Sequence, residues 1–316
     1  MAKLTYDHGL AQTSSHTYAY LQPDGGWGWS NSGLIVGKHD SILVDTLFDL
    51  RLTQRMLDDM QAILPGPIDT LVNTHHNGDH CFGNELLPQA EIIAHRACRD
   101  ELLKIPPAVI AQLLVAFGDT PAGRYAQQCF KDFDFSNITL TPPTRVFDDR
   151  FTLSLDDDPV ELVYLGPAHT SGDIIVHYPK EQVVFTGDLL FHLCTPIIWE
   201  GTCAQWVAAL DAILALDVAH IIPGHGPLAD KAGVQLQKAY LLYIWDRSKE
   251  LYERGVPVEE AVRHIDLGQY AEWGESERIA ANVMRFYQEH AGEEKVDTDY
   301  LVAFQRMAEL YYREEE

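Results

Sequence analysis

The sequence predicts an α/β protein, and three observations carry that reading. Short β-branched or alternating segments recur from residue 16 to 95 and again from 159 to 188. A helix-period stretch, Leu50 to Leu64, separates two of the early ones. Four apolar segments then end in a metal-ligand residue type: TLVNT before His75, VELVYLG before His169, QVVFTG before Asp188 and AHIIPG before His225. Strand ends of layered α/β folds converge on one edge, where sites are built.

In order, the early strands are HTYAYLQ (16–22), SGLIVG (32–37), SILVDT (41–46), DTLVNT (69–74) and EIIAH (91–95), with turn chemistry in PDGG (23–26) and GKHD (37–40). Residues 97–130 read as short helices punctuated by Pro106-Pro107 and by Gly118 to Pro121. This insertion, about 97–135, is too apolar to stand alone in water and is expected to form a lid or a dimer contact. From 229 onward the pattern is helical, and the last 90 or so residues are expected to pack on the core or pair subunits in a homo-oligomer. The expected division is a domain over 1–227 and a helical extension over 228–316.

The chain has 316 residues, 46% hydrophobic and 22% charged, enough for a sizeable core. Its net charge of −24 repels nucleic acid and anionic membrane alike, so both are poor partners. The five cysteines contain no CxxC and cannot all pair; they read as reduced thiols of a cytoplasmic protein. The start, MAKLTYDHGLAQ, shows no apolar signal-peptide core, and no uncharged apolar run reaches membrane-span length.

The densest chemistry is NTHHNGDHCFGN (73–84). Residues 75 and 77 are two apart and point the same way in an extended loop, whereas Asp79 and His80 are adjacent and diverge. No GxSxG elbow and no Gly-rich phosphate loop are present. The order TH-x-N-x-DH, GPAHTSGD, FTGD and IIPGHG resembles the metallo-β-lactamase superfamily over roughly residues 16–227. That resemblance implies an αββα sandwich with a metal centre on one edge. Carried over, it puts one metal with His75, Asn77 and His169, a second with Asp79, His80 and His225, and Asp188 between them. Asp45, which ends SILVDT, matches a residue that supports a ligand from behind. His76 falls at a variable position and reads as a spacer.

Asn77 stands where the family's hydrolases carry a second His. Its amide oxygen is a weaker, harder and neutral ligand. The first site is therefore expected to bind its ion less tightly, and three outcomes stay open: one ion at the second site, two ions with one labile, or Asn77 turned to substrate. Zinc is the expected ion, one or two per chain, and an amide oxygen with two carboxylates also suits manganese or iron.

The resemblance implies a metal-dependent hydrolase of a small ester, lactone, thioester or amide, using a metal-bound hydroxide and depending on Asp79. His192, four residues after Asp188, is the candidate acid or substrate donor. Trp27 and Trp29 lie on a Gly-rich hairpin that would flap over the metals and suggest an apolar or aromatic small-molecule substrate. QPDGGW with NTHHNGDHxxGN looks like a cyclase or hydrolase subgroup. The alternative is thus a cyclase or lyase, in which the metal acts as Lewis acid on an aromatic or polyketide-like carbonyl and no water is consumed.

Overall fold

The computed structural model describes residues 6–293 and 299–314. Residues 1–5, and Asp297 and Thr298 at the head of the last predicted helix, lie outside the described residues. Two sheets lie face to face with helices outside each. The first carries β1 (Gly9–Gln12), β2 (Thr17–Leu21), β3 (Ser32–Val36), β4 (Ser41–Val44), β5 (Thr70–Val72), β6 (Glu91–His95) and β7 (Arg145–Phe147) in chain order. β1 to β4 pair antiparallel, and β4 to β7 run parallel. The second carries β8 (Arg150–Leu155), β9 (Asp158–Tyr164), β10 (Ile174–Tyr178), β11 (Val183–Phe185) and β12 (His220–Ile222). It is antiparallel except for the β11–β12 pair.

β3, β4, β10 and β11 are buried almost throughout because both faces are covered. Ile42 and Val44 point between the sheets, towards Phe185 and Ile222, while Leu43 joins Met56 and Met60 on the outer side. Met56 and Met60 belong to α1 (Leu50–Met60), which buries Leu52, Thr53, Met56 and Met60 at helical spacing. Its N-cap is Asp49, whose carboxylate accepts from the Leu52 N–H at 2.7 Å.

The short helix α2 (Gly78–Cys81) lies inside the His/Asp motif. The insertion supplies α3 (Arg96–Leu102), α4 (Pro107–Ala116) and α5 (Pro121–Phe130). On the outer face of the second sheet lie α6 (Cys203–Ala215), started by a Thr202–Gln205 capping box, and α7 (Lys231–Glu253). After them come α8 (Val258–His264), α9 (Ile279–His290) and α10 (Tyr300–Glu314). These helices share one apolar cluster with β9, β10, β11 and β12, built around Trp206, Tyr240 and Phe286. All five cysteines are free thiols, and among the described residues no helix is long and apolar enough to cross a membrane.

Strand register positions the site. Parallel pairing aligns Val44 with Val72, so Asp45 and the Asn73-Thr74 step leave the sheet side by side. In the second sheet Phe185 is aligned with Ile222, so the chains leading to Asp188 and His225 also leave together. Both sheets therefore deliver polar residues to one rim.

Candidate metal centre

Six side chains on that rim form two groups that could each hold a metal ion: His75, His169 and Asp188, and Asp79, His80 and His225. Asp188 joins them. Its Oδ1 lies 3.1 Å from His80 Nε2, and its Oδ2 lies 3.7, 3.3 and 3.4 Å from the Nε2 atoms of His75, His169 and His225. His225 Nε2 is also 3.3 Å from Asp79 Oδ2.

Residues behind the rings decide which nitrogen faces inward. Asp45, at φ 63°, accepts from the Thr74 N–H at 2.7 Å and the Thr74 hydroxyl at 2.6 Å. Its Oδ2 also accepts from His80 Nδ1 at 2.9 Å. Because the Thr74 hydroxyl gives its proton to a carboxylate, it accepts from His75 Nδ1, 3.1 Å away. His169 Nδ1 donates to the Ile197 carbonyl at 2.6 Å. Three rings thus turn a bare Nε2 inward, the second-layer arrangement found behind metal ligands. His75 Nε2 is buried without a hydrogen-bond partner, and the buried His80 Nε2 and Asp188 Oδ1 face each other at 3.1 Å. Such atoms are costly in a folded protein, and a shared cation satisfies them together.

The two groups differ in proton load. Burial, with the neighbouring His80, holds His75 well below the usual imidazole range, and burial lowers His169 to about 4. Burial also opposes charge on His80 and His225, but there the carboxylates win: Asp188, Asp45 and Asp79 raise His80, and Asp188 and Asp79 raise His225. The directions are opposite, so the His80/His225 group holds protons to higher pH than the His75/His169 group. Zinc binding is therefore expected to release protons and to tighten as pH rises. Calorimetric zinc titration in buffers of different ionisation enthalpy counts them; no release would contradict the asymmetry.

Asn77 reaches the first group. It is the N-cap residue of α2, yet its side chain makes no capping bond. Its amide nitrogen instead lies 3.0 Å from His169 Nε2. An amide presents either of its ends by turning over, so an oxygen can occupy the same point.

A cavity of about 440 Å³ opens over the two groups. Asn77, Asp79, His169, Asp188 and His225 form its polar floor. The insertion contributes Ile105, Val109, Ile110, Leu114, Ala126 and Phe130, and the C-terminal helix contributes Tyr300 and Phe304. The insertion is therefore a roof over the site. Trp27 also lines the cavity, with its indole N–H donating to the Tyr125 hydroxyl at 3.0 Å and its ring 5.4 Å from Phe304. Gly28 beside it has φ +72°, and a Cβ there would meet Phe48 at 2.3 Å, so the loop needs glycine on both counts.

Two expected residues stand elsewhere. Trp29 packs on Phe133 at 4.9 Å and does not line the cavity. His192 turns away: its Nδ1 faces the Pro227 carbonyl at 3.1 Å and its ring lies over Gly233 at the start of α7. Leu190 is extended, so successive side chains alternate, and Phe191 takes the cavity side. His192 supports the rim only through its backbone N–H, which donates to the His225 carbonyl at 2.9 Å. Conversely, His76, read as a spacer, lines the cavity with Nε2 3.7 Å from Glu200. Arg278 and Tyr300, not singled out in the sequence, line it as well.

The sequence profile of the metallo-beta-lactamase superfamily matches residues 25–225, which takes in every residue of both groups. The metallo-beta-lactamase type 2 of Bacteroides fragilis is 26% identical over 243 residues, covering 74% of this chain and 84% of that protein. The 2,4-dinitroanisole O-demethylase subunit alpha of Nocardioides sp. (strain JS1661) is 25% identical over 200 residues, 60% of this chain, and the match spans only 51% of that relative. Among solved structures, the stereoselective inverting sec-alkylsulfatase from Pseudomonas sp. superposes with a TM-score of 0.66 at 18% identity, covering 93% of this chain and 51% of that one. With the fold, the rim and the profile in agreement, the chain belongs to the metallo-beta-lactamase superfamily and is a metallo-hydrolase.

Proposed function

We propose that this metallo-hydrolase cleaves a small ester, lactone, thioester or amide with an apolar or aromatic body, using one or two zinc ions. The observation that carries this reading is the position of the cavity: its floor is the ligand set, and its walls are almost wholly aliphatic and aromatic. Such a shape binds an apolar body by burial and leaves the reacting group over the polar floor. Bound divalent ions supply a water-derived nucleophile near neutral pH and polarise a carbonyl.

The chain's own residues do the rest. Asp45 and Thr74 hold His80 and His75 in one tautomer, and the Ile197 carbonyl does so for His169. Asn77 serves as a weak ligand or contacts the substrate. Trp27 closes the apolar wall beside the floor. Wherever the chain is placed in the cell, its surface charge disfavours nucleic acid as a client.

The apolar walls also fit a second reading, a metal-dependent cyclase or lyase acting on an aromatic carbonyl without consuming water. One experiment separates the two. Protein purified without added metal or chelator is assayed for metal by elemental mass spectrometry, then for hydrolysis of 4-nitrophenyl and thioesters in ¹⁸O-water. Turnover that incorporates ¹⁸O, disappears with chelator and returns with zinc supports the hydrolase. Bound metal with no hydrolysis of any ester, thioester, lactone or amide supports the cyclase.

A further inference from the structure

Arg278 ends the turn Ser276–Arg278, outside the part of the chain matched by the superfamily profile. It is 1% exposed and is the only Lys or Arg among the described residues that lines the cavity. Its guanidinium lies 4.4 Å from the ring centre of Trp27 and 5.7 Å from that of Phe191. Nη1 donates to the Thr195 carbonyl at 3.1 Å, while the buried Nε has no partner. Glu275 and Glu277 are close enough to favour its charge, but neither lines the cavity. Glu277 Oε1 accepts from the Tyr125 hydroxyl at 2.7 Å. Burial, reinforced by Glu277, pushes Glu275 up to about 8, which weakens it as a counter-charge.

A buried guanidinium with an unused donor is costly in an apolar wall. An anionic oxygen group on a ligand would satisfy it, held against a flat aromatic pair. Phe191 stacks on His225 with ring centres 5.0 Å apart and planes 4° from parallel. Arg278 is thus separated from the ligand floor by a ring layer, so a group bound there is not the group being cleaved.

We propose that Arg278 and Trp27 form a second anchoring point, which takes an anionic, carboxylate-like group carried on the apolar body of the ligand several bonds from the scissile bond. The scissile bond rests on the hydrolase reading; the binding site itself does not.

The test uses metal-replete protein and two probes, 1-octanesulfonate and 1-octanol, titrated by calorimetry. Sulfonate is chosen because it is a weak metal ligand. The sulfonate is expected to bind about tenfold or more tightly than the alcohol, as for a hydrogen bond to a charged group. Arg278→Gln is expected to abolish that preference while octanol affinity holds, and Arg278→Lys to retain part of it. Equal affinity in the wild type, no binding of either probe, or a preference that survives Arg278→Gln would overturn the proposal. So would loss of both probes in both variants, which makes the residue structural. Binding is read without turnover, so a negative result leaves the hydrolase reading standing. Absence of all turnover sinks that reading while the anchor is still measured.

Discussion

Asp188→Ala is expected to cost the protein its bound metal and nearly all of its turnover. Four imidazoles converge on this one carboxylate within 3.7 Å, and they come from both groups. Removing one partner from a buried charge cluster costs about 3–5 kcal/mol. That corresponds to roughly a hundred- to several-thousand-fold in affinity or rate. The control is Asp45→Asn. Asp45 touches His80 and Thr74 rather than the point where the ligand atoms meet, so the loss there is expected at about 10- to 100-fold, the range for groups that orient a ligand. Metal per chain and turnover, measured on both variants, check the order. An Asp188→Ala protein with its metal and full activity would remove Asp188 from the centre of the site.

The candidate site was largely legible because its polar residues follow strands. β-Branched runs mark the ends of β4, β5, β11 and β12, and the residues after them are Asp45, His75, Asp188 and His225. Parallel register then carries those ends to one rim, as the sequence order predicts. The short elements were harder to see. α2 spans only four residues, too few for a helical period to show, and it begins at an Asn-Gly step that reads as a turn. It fits because Gly78 leaves room for Phe82, which a Cβ would meet at 2.5 Å. β7 and β8 were missed in a charged stretch, where Asp156 and Asp157 make the β8–β9 turn at positive φ without the usual glycine. α6 was missed because it is apolar on most sides, packed under α7 against the second sheet.

The cavity walls were beyond a one-dimensional reading for a different reason. Trp27 meets Phe304 and Arg278 from the opposite end of the chain, and no local pattern encodes that meeting. His192 shows the converse. Proximity in sequence to Asp188 suggested a catalytic role, but the chain passes through a tight turn at Gly187–Leu189 and leaves extended. One residue of phase decides which side chain enters the cavity, and the apolar Phe191 takes that place.

That apolar lining sets the second large effect. Along a series of 4-nitrophenyl esters from acetate to octanoate, kcat/KM is expected to rise about fourfold per methylene. Each buried methylene contributes about 0.8 kcal/mol, and 1.36 kcal/mol is tenfold. The six added methylenes then span roughly three thousand-fold, unless the walls are reached first. Ala126 on α5 locates the limit: it is buried and lines the cavity, so Ala126→Phe pushes a ring into the space an acyl chain needs. The variant is expected to keep the wild-type rate on acetate and to stop gaining several methylenes earlier. A fall on acetate as well would mean that the ring disturbs the packing rather than the cavity. A flat series in the wild type would contradict apolar recognition altogether, because a ligand that buries methylenes against Phe130, Leu114 and Phe304 cannot be indifferent to their number.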